Sequence, residues 1–250
     1  MRLGLSGLRV KKTQNEVWAT CYLAARARLI GDNSMKTAQP GQPGVLQTAL
    51  GVAAPQPEYG TSHISIVDAE GHALSMTTTI EAQFGARQMV NPSGKGSGGF
   101  LLNNELTDFN FAPNDASGLP TANRVQPGKR PRSSMSPTLV FDKASGQLLI
   151  SGGSPGGALI IHYTAKTLYG MLNWGLNAQQ AINLPNFGAT GAPTLLEEKR
   201  FPADTVQWLQ AHGHEVRETD MTSGLQAIGR TADGYFGGAD PRREGVVMGE

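Results

Sequence analysis

The sequence predicts an α+β protein built around a mainly antiparallel sheet. Short runs of alternating apolar and polar residues recur along the chain, joined by turns that contain Asp and Gly, which is the pattern of β-hairpins. Two segments in the second half instead carry apolar residues at helical spacing. The 32 glycines and 15 prolines, roughly 19% of the chain against an average near 12%, are typical of many turns between short strands.

Length and composition narrow the possible functions. A chain of 250 residues can form one or two domains with a sizeable core. The formal net charge of +1 gives no reason to expect nucleic acid or an acidic membrane as a partner, so a small or neutral substrate is favoured. The single Cys21 excludes an internal disulfide and a cysteine-based zinc site. The start, Met1–Leu5, lacks the apolar run of a secretory signal.

One helix and a long irregular segment are predicted before residue 61. Apolar residues between Thr13 and Leu29 favour an amphipathic helix that Gly31–Asn33 ends. From Lys36 to Gly60, four prolines and four glycines leave little room for regular structure. We expect this segment to be a linker that a protease or a self-cleavage event could reach.

A β-hairpin follows this linker directly. Ile64–Val67 and Ala73–Ile80 alternate in polarity, and Asp68–Gly71 supplies the turn between them. Thr61 and Thr79 are therefore expected near each other at one end of the hairpin.

Later elements follow from the same patterns. The loop Gly94–Gly99 fits the dinucleotide pattern GxGxxG, but it precedes a strand instead of opening a helix, so a flexible loop is favoured. The further predicted elements are a strand at Phe100–Asn103, a hairpin of Thr138–Asp142 and Gln147–Ser151, helices at Leu159–Asn173, Ala178–Ile182 and Ala203–His212, and a closing hairpin of Gly224–Ile228 and Tyr235–Gly238.

The Gly60–Thr61 junction carries the most informative chemical signal. Cutting this bond would give one residue both an attacking hydroxyl and a free α-amine, as an N-terminal-nucleophile hydrolase requires. A free α-amine titrates close to neutral pH and can accept the hydroxyl proton. Glycine tolerates unusual backbone angles, so the bond before Thr61 could be strained toward an ester intermediate. Taken alone, however, Thr61 fits an ordinary strand threonine better than a nucleophile.

Two downstream segments could bind the other groups of an acyl-transfer substrate. Ser133 and Ser134 follow Arg130 and Arg132, so they offer hydroxyls beside cationic side chains for a carboxylate, although a turn explains them equally well. The segment Gly152–Gly157 precedes a helix, so its backbone N–H groups could face an anion. In an acyl-transfer enzyme, an oxyanion hole would form there.

Five ordered segments resemble the γ-glutamyltransferase (γ-glutamyltranspeptidase) family, in its small catalytic subunit. They are Thr61–Asp68, Leu101–Phe109, Lys129–Thr138, Gly153–Gly157 and Ala239–Arg242. The resemblance implies the four-layer αββα sandwich of N-terminal-nucleophile hydrolases, incomplete here at the N-terminus. It also implies self-cleavage before Thr61 and attack by Thr61 on glutathione-like γ-glutamyl amides through an acyl-enzyme. No metal or cofactor is expected.

The resemblance gives each matched catalytic residue a role. Thr79 would hydrogen-bond to Thr61 and orient it. The backbone amides of Gly156 and Gly157 would form the oxyanion hole.

The resemblance likewise assigns the substrate-binding residues. Ser133 and Ser134 would hold the substrate α-carboxylate. Glu105 and Asp108 would hold the α-ammonium, which two carboxylates can compensate when it leaves water. Glu81 stands where well-known transpeptidases carry Asn, and this added carboxylate could tighten amine binding or shift the preferred acyl group.

The departures from the family pattern leave two alternatives open. The segment Asn110–Gly128, which resembles a lid over the glutamyl pocket, looks short and lacks an aromatic residue after Phe111, which would favour hydrolysis over transfer. Together with Glu81, it motivates an acylase for glutaryl or other dicarboxylate amides, as in cephalosporin-acylase-like members. The other alternative is an inert truncated chain.

The resemblance also predicts the domain organisation. Residues 1–35 would be a remnant helix of the large subunit, residues 36–60 a linker ending at the cleavage site, and residues 61–250 the catalytic subunit. The large subunit is expected as a partner, and it includes an arginine for the substrate carboxylate that residues 1–60 do not supply. Family members are often exported, but the signal would lie in the part that this chain lacks.

Overall fold

The computed structural model describes residues 20–39, 41, 50–51, 60–96 and 98–249. The first part of the predicted N-terminal helix and most of the predicted linker 36–60 lie outside the described residues. The domain boundaries at 35 and 60 therefore stay predictions. None of the described helices combines the length and the apolar character that crossing a membrane requires.

The class is α+β, as predicted. The described helices are α1 (Thr20–Ala27), α2 (Ile160–Asn173), α3 (Ala178–Asn183) and α4 (Ala203–Ala211), with short 3-10 turns at Glu105–Asp108 and Gly157–Leu159. The described strands are β1 (Thr61–Val67), β2 (Ala73–Thr79), β3 (Met89–Val90), β4 (Phe100–Leu101), β5 (Thr138–Phe141), β6 (Leu148–Gly153), β7 (Phe187–Gly188), β8 (Thr194–Glu197), β9 (Val216–Thr219), β10 (Gln226–Arg230) and β11 (Tyr235–Ala239).

The hairpin β1–β2 forms the predicted antiparallel pair and packs face to face on a larger sheet. That sheet has the strand order β11-β10-β6-β5 and is antiparallel throughout. Ser75 joins the two sheets, because its Oγ donates to the carbonyl of Gly152 (3.0 Å) and accepts from the amide of Thr138 (3.0 Å). A polar contact of this kind replaces the apolar packing usual between stacked sheets.

Helices α2 and α3 cover the other face of the larger sheet. Between helices and sheet lies the hydrophobic core, formed by Tyr163, Ala178, Ile182, Met221, Leu225 and Ala227. In the described part of the chain, three layers of the predicted αββα sandwich are thus present in the order helix, sheet, sheet.

The outer face of β1–β2 carries four apolar side chains that are partly exposed, and no described element packs on it. Ile64 lies opposite Met76, and Ile66 opposite Leu74, in the antiparallel register. These four side chains are between 39% and 49% exposed. These four side chains point away from the larger sheet, whereas the inner face of the hairpin carries mostly polar residues such as His63, Ser75 and Thr77.

Several features differ from the predictions, among them strand β3, which was not predicted. A small sheet of β7, β8 and β9, with β8 and β9 parallel, was not predicted, because strands this short carry little periodicity. The predicted strand Gly224–Ile228 begins two residues later, at Gln226. Leu225 pairs instead with Asp240, donating to its carboxylate and accepting from its amide, so residues 221–225 form a buried loop.

A buried ionic network closes the end of α3. Arg242 binds Glu197 with two hydrogen bonds (2.7 and 2.8 Å). Lys166 Nζ donates to the carbonyls of Ile182 (3.2 Å) and Leu184 (2.8 Å), and Arg242 donates to the same two carbonyls. Two cations therefore stabilise the carbonyl end of the helix, where its dipole is negative.

Burial, assisted by the nearby Arg242 charge, lowers the pKa of Lys166 from an ordinary 10.5 to about 7. Between these pH values, the unfolded chain holds a proton that the folded chain has released. The free energy of unfolding should therefore rise with pH across this range, by at most about 1.4 kcal/mol per pH unit from this group. Urea unfolding at several pH values measures this slope.

The variant Lys166→Met should lose that part of the slope. The variant Lys199→Met, whose side chain is 85% exposed, should keep the wild-type slope. An unchanged slope in Lys166→Met would contradict the assignment.

Candidate active site

Seven of the nine site residues predicted from the sequence line one small pocket. The lining comprises Thr61, Thr79, Glu81, Glu105, Asp108, Ser133, Ser134, Met135 and Ile160. The other two predicted residues, Gly156 and Gly157, are not among the lining residues, but they directly precede the turn of α2 that contributes Ile160. Segments far apart in the sequence thus meet at the end of β1–β2.

The Thr61–Thr79 pair is in the predicted place. The two residues lie opposite each other in the β1–β2 register, and Thr61 Oγ1 donates to Thr79 Oγ1 at 3.2 Å. The backbone amide of Glu81 also donates to Thr79 Oγ1, at 2.9 Å. Glu81 itself has a left-handed backbone (φ +68°), which changes the direction of the chain after β2.

Gly60 occupies a position that only glycine fits. Its φ is +93°, where other residues pay on the order of 1–3 kcal/mol. A Cβ on Gly60 would lie 2.7 Å from the carbonyl oxygen of Glu81 and 2.9 Å from that of Ala82. The residue before the candidate nucleophile is therefore held in an unusual conformation by the chain that follows β2.

Three carboxylates, from Glu81, Glu105 and Asp108, form the acidic side of the pocket. Asp108 is 7% exposed. Burial raises the pKa of Asp108, a hydrogen bond with Glu105 and the Arg132 charge lower it, and the Glu81 charge raises it further. A cation bound here would relieve this repulsion, so the acidic side is suited to an ammonium group.

Two asparagines that sequence reasoning missed hold this side together. Asn104 donates through Nδ2 to a carboxylate oxygen of Glu81. Asn123 donates to the carbonyl of Asp108 (2.6 Å) and accepts from the amide of Arg132 (2.9 Å). Asn104 lies inside the matched segment 101–109, beside the carboxylates, and that position was the available signal. Asn123 lies in the segment treated only as a lid.

The serine pair lies in an irregular stretch that leads into β5. Ser133 Oγ accepts from the amide of Met135 (3.2 Å), and Ser136 donates to the carbonyl of Ser134 (2.9 Å). The hydroxyl hydrogen of Ser133 is not committed by that contact, because the oxygen serves there as an acceptor. The pair can therefore donate to an anion across the pocket from the carboxylates.

Residues 153–157, where the sequence predicts an oxyanion hole and which we therefore name the oxyanion loop, connect β6 to the turn before α2. Gly156 and Gly157 have left-handed backbones (φ +137° and +58°). A Cβ on Gly156 would lie 2.5 Å from the ring of Tyr163, and one on Gly153 would lie 2.5 Å from the ring of His63. The loop thus combines conformations that favour glycine with contacts that leave no room for side chains.

His63 of β1, to which the sequence analysis assigned no role, places its ring against Gly153 of this loop. Burial lowers its pKa to about 4, so the ring is neutral at physiological pH. Its nitrogens bond to the hydroxyls of Thr77 (2.8 Å) and Ser65 (3.1 Å). These bonds hold the ring in a fixed position between β1 and the oxyanion loop, two residues after Thr61.

Neither the predicted lid nor the described part of the glycine-rich loop contributes a lining residue to the pocket, although Asn123 of the lid segment bonds to its acidic side. Segment 110–128 folds on itself, with the buried Thr121 donating to the carbonyl of Ala112 (3.1 Å), and none of its residues lines the pocket. The described part of 94–99 leads into β4, not into a helix, as expected for a loop that does not bind a dinucleotide.

Comparisons with known proteins identify the family to which this chain is similar. The family model "Gamma-glutamyltranspeptidase" matches residues 6–250. A glutathione hydrolase proenzyme of Escherichia coli is 34% identical over 239 residues, covering 90% of this chain and 38% of that protein. The chain therefore spans well under half the length of this relative.

Solved structures of γ-glutamyltranspeptidases are also similar to this chain. γ-Glutamyltranspeptidase from Pseudomonas nitroreducens has a TM-score of 0.64 and 29% identity, covering 75% of this chain and 98% of that chain. A cephalosporin acylase from Bacillus halodurans has a TM-score of 0.71 over 96% of this chain and 40% of that chain. At 22% identity, the latter supports the fold alone.

The charge of Glu81 is expected to raise the pKa of Asp108. The variant Glu81→Gln should lower that pKa, since the variant removes a negative charge that opposes ionisation of Asp108. Titration of the Asp108 carboxyl carbon by NMR measures the effect. The variant Glu70→Gln, on the exposed turn of the β1–β2 hairpin, should leave the titration unchanged. An Asp108 pKa that stays constant or rises in Glu81→Gln would contradict this expectation.

Proposed function

We propose, since the chain belongs to the γ-glutamyltranspeptidase family, that Thr61 is the nucleophile of a hydrolase or transferase that acts on glutathione-like γ-glutamyl amides. The observation that carries the proposal is the convergence, in one pocket, of the Thr61–Thr79 pair with three carboxylates and a serine pair. The names of the relatives, glutathione hydrolase proenzymes, support the substrate class and a processed precursor.

Maturation would begin with Thr61 Oγ1 attacking the carbonyl carbon of Gly60. The C–N bond breaks as the amine of Thr61 leaves with a proton, which gives an ester on Oγ1, and water then hydrolyses the ester. The left-handed backbone of Gly60, seated against the carbonyls of Glu81 and Ala82, supports this step because it holds the Gly60–Thr61 bond in one conformation beside the Thr61 hydroxyl.

In turnover, the new α-amine of Thr61 would accept the proton of its own hydroxyl. Oγ1 would attack the γ-carbonyl carbon, and the amides of Gly156 and Gly157 would stabilise the oxyanion. The leaving amine takes the proton, and water or an acceptor amine resolves the acyl-enzyme. Thr79, whose oxygen accepts from the amide of Glu81, would hold Thr61 Oγ1 in place.

Charge matching supports a γ-glutamyl donor over a glutaryl one. Three carboxylates line the pocket where the α-ammonium would bind, and burial together with the Glu81 charge raises the pKa of Asp108. A glutaryl group has no ammonium, so it would leave these carboxylates uncompensated. The acidic side therefore favours the family's own substrate class, and Glu81 adds to that preference.

A large-subunit partner is part of the same proposal. The exposed apolar ladder of Ile64, Ile66, Leu74 and Met76 on the outer face of β1–β2 supports it, since soluble proteins rarely leave such faces uncovered. The fourth layer of the αββα sandwich would come from this partner. The arginine that the family uses for the substrate carboxylate would come from it too.

The nucleophile assignment predicts a chain break between Gly60 and Thr61. Purified protein should show this break by mass spectrometry, and Thr61→Ala should remain intact because no hydroxyl is available to attack. The variant Ser62→Ala, altered at the exposed neighbouring position, should cleave like the wild type. Cleavage that persists in Thr61→Ala would rule out this mechanism.

Donor specificity is tested with two chromogenic amides. The mature protein should release nitroaniline from γ-glutamyl-p-nitroanilide, and from the glutaryl analogue at least about 10-fold more slowly, a difference on the scale expected for one unpaired charged group. The variant Glu81→Gln should raise the KM for the γ-glutamyl compound. Equal or faster release from the glutaryl compound would favour an acylase, whereas no release from either would contradict the proposed function.

A further inference from the structure

The buried loop 221–225, which we name the support loop, lies directly against the oxyanion loop. The amide of Gly224 donates to Ser154 Oγ at 3.3 Å. A Cβ on Gly224 would lie 2.6 Å from the ring of Pro155, so the two residues are in close contact. Ser154 also donates to the carbonyl of Pro155 at 2.6 Å. One hydroxyl thus joins the two loops immediately before Gly156.

Asp240 holds the support loop in place. Its carboxylate accepts from Ser223 Oγ and from the amide of Leu225 (3.1 Å), and its amide donates to the carbonyl of Leu225 (2.9 Å). Asn186 adds hydrogen bonds to Ser223 Oγ (2.8 Å) and to the carbonyl of Met221 (3.1 Å). Asp240 is 1% exposed, and Ser223 and Asn186 are fully buried.

The backbone of the oxyanion loop needs contacts that hold it in one conformation. Gly156 and Gly157 have no side chains to fix their backbone, and glycine loses more conformational freedom on ordering than any other residue. An oxyanion hole is effective only when its donors are held in position before the charge develops. The contacts that fix this loop must therefore come from outside it.

We propose that Ser154 and Asp240 are positioning residues for the amides of Gly156 and Gly157. The inference rests on the proposed function, because it concerns the oxyanion hole of that reaction. Both side chains are almost fully buried and bond to neighbouring protein groups, so we assign neither a contact with substrate. Asp240 orders the support loop, the support loop seats Pro155 and binds Ser154, and these contacts set the direction of the two amides that follow.

The variant Ser154→Ala removes the joining hydroxyl without adding volume. It should lower kcat for γ-glutamyl-p-nitroanilide by roughly 10- to 100-fold, somewhat less than the loss of an oxyanion donor itself, and leave KM within about twofold. The matched control is Ser151→Ala on β6. Ser151 is equally buried and donates to the carbonyl of Leu74 (2.9 Å), away from both loops. The Ser151→Ala variant should be less stable than the wild type but have the same kcat.

A second readout does not need turnover. In backbone NMR spectra, the amide signals of Gly156 and Gly157 should shift in Ser154→Ala and in Asp240→Asn, and should not shift in Ser151→Ala. In the wild type, the Leu225 amide and the Ser223 hydroxyl donate to the Asp240 carboxylate. Asp240→Asn keeps the size of the side chain but replaces one acceptor oxygen with an NH2 donor, which disturbs the support loop.

The outcomes separate this inference from the proposed function. Wild-type protein that turns over no γ-glutamyl amide counts against the proposed function, and the amide signals still decide the positioning claim. Signals that stay in place in Ser154→Ala and Asp240→Asn, or that move equally in Ser151→Ala, overturn it. A kcat in Ser154→Ala within twofold of the wild type overturns it as well.

Discussion

The antiparallel register of β1 and β2 is the constraint on which the candidate site depends. It sets Thr61 opposite Thr79, and the alternation of side chains sends His63 and Ser75 inward against the larger sheet. A slip of one residue would turn Thr61 to the outer, apolar face, so a single register decides both where the proposed nucleophile lies and which face of the hairpin is apolar.

The packing of the two sheets sets the distance between Thr61 and the proposed oxyanion hole. Thr61 belongs to the smaller sheet, whereas the oxyanion loop extends from β6 of the larger one. The ring of His63 lies against Gly153, and Ser75 bonds to Gly152, so small residues allow the strands to approach closely. The support loop contacts the oxyanion loop through Ser154 and Pro155, and the acidic side of the pocket would bind the ammonium group of the proposed substrate.

Local patterns predicted most of the fold. Alternation and turn residues predicted the β1–β2 hairpin, and with it the Thr61–Thr79 pair, because both residues belong to one short stretch of chain. Seven of the nine candidate site residues meet in one pocket, which the ordered motifs indicated. Asn104, Asn123 and the Asp240 network were not predicted, because their partners are distant in sequence and polar side chains carry no periodicity. The β7–β8–β9 sheet was missed for the related reason that its strands are too short to show a pattern.

The central claim is that Thr61 carries the acyl group. Protein mixed with γ-glutamyl-p-nitroanilide, quenched in acid within the first turnovers and digested, can be examined by tandem mass spectrometry. The account predicts a γ-glutamyl group on the peptide that begins at Thr61, attached to that residue. A label on Ser133 or Ser134 would contradict it, and so would release of nitroaniline with no label on Thr61.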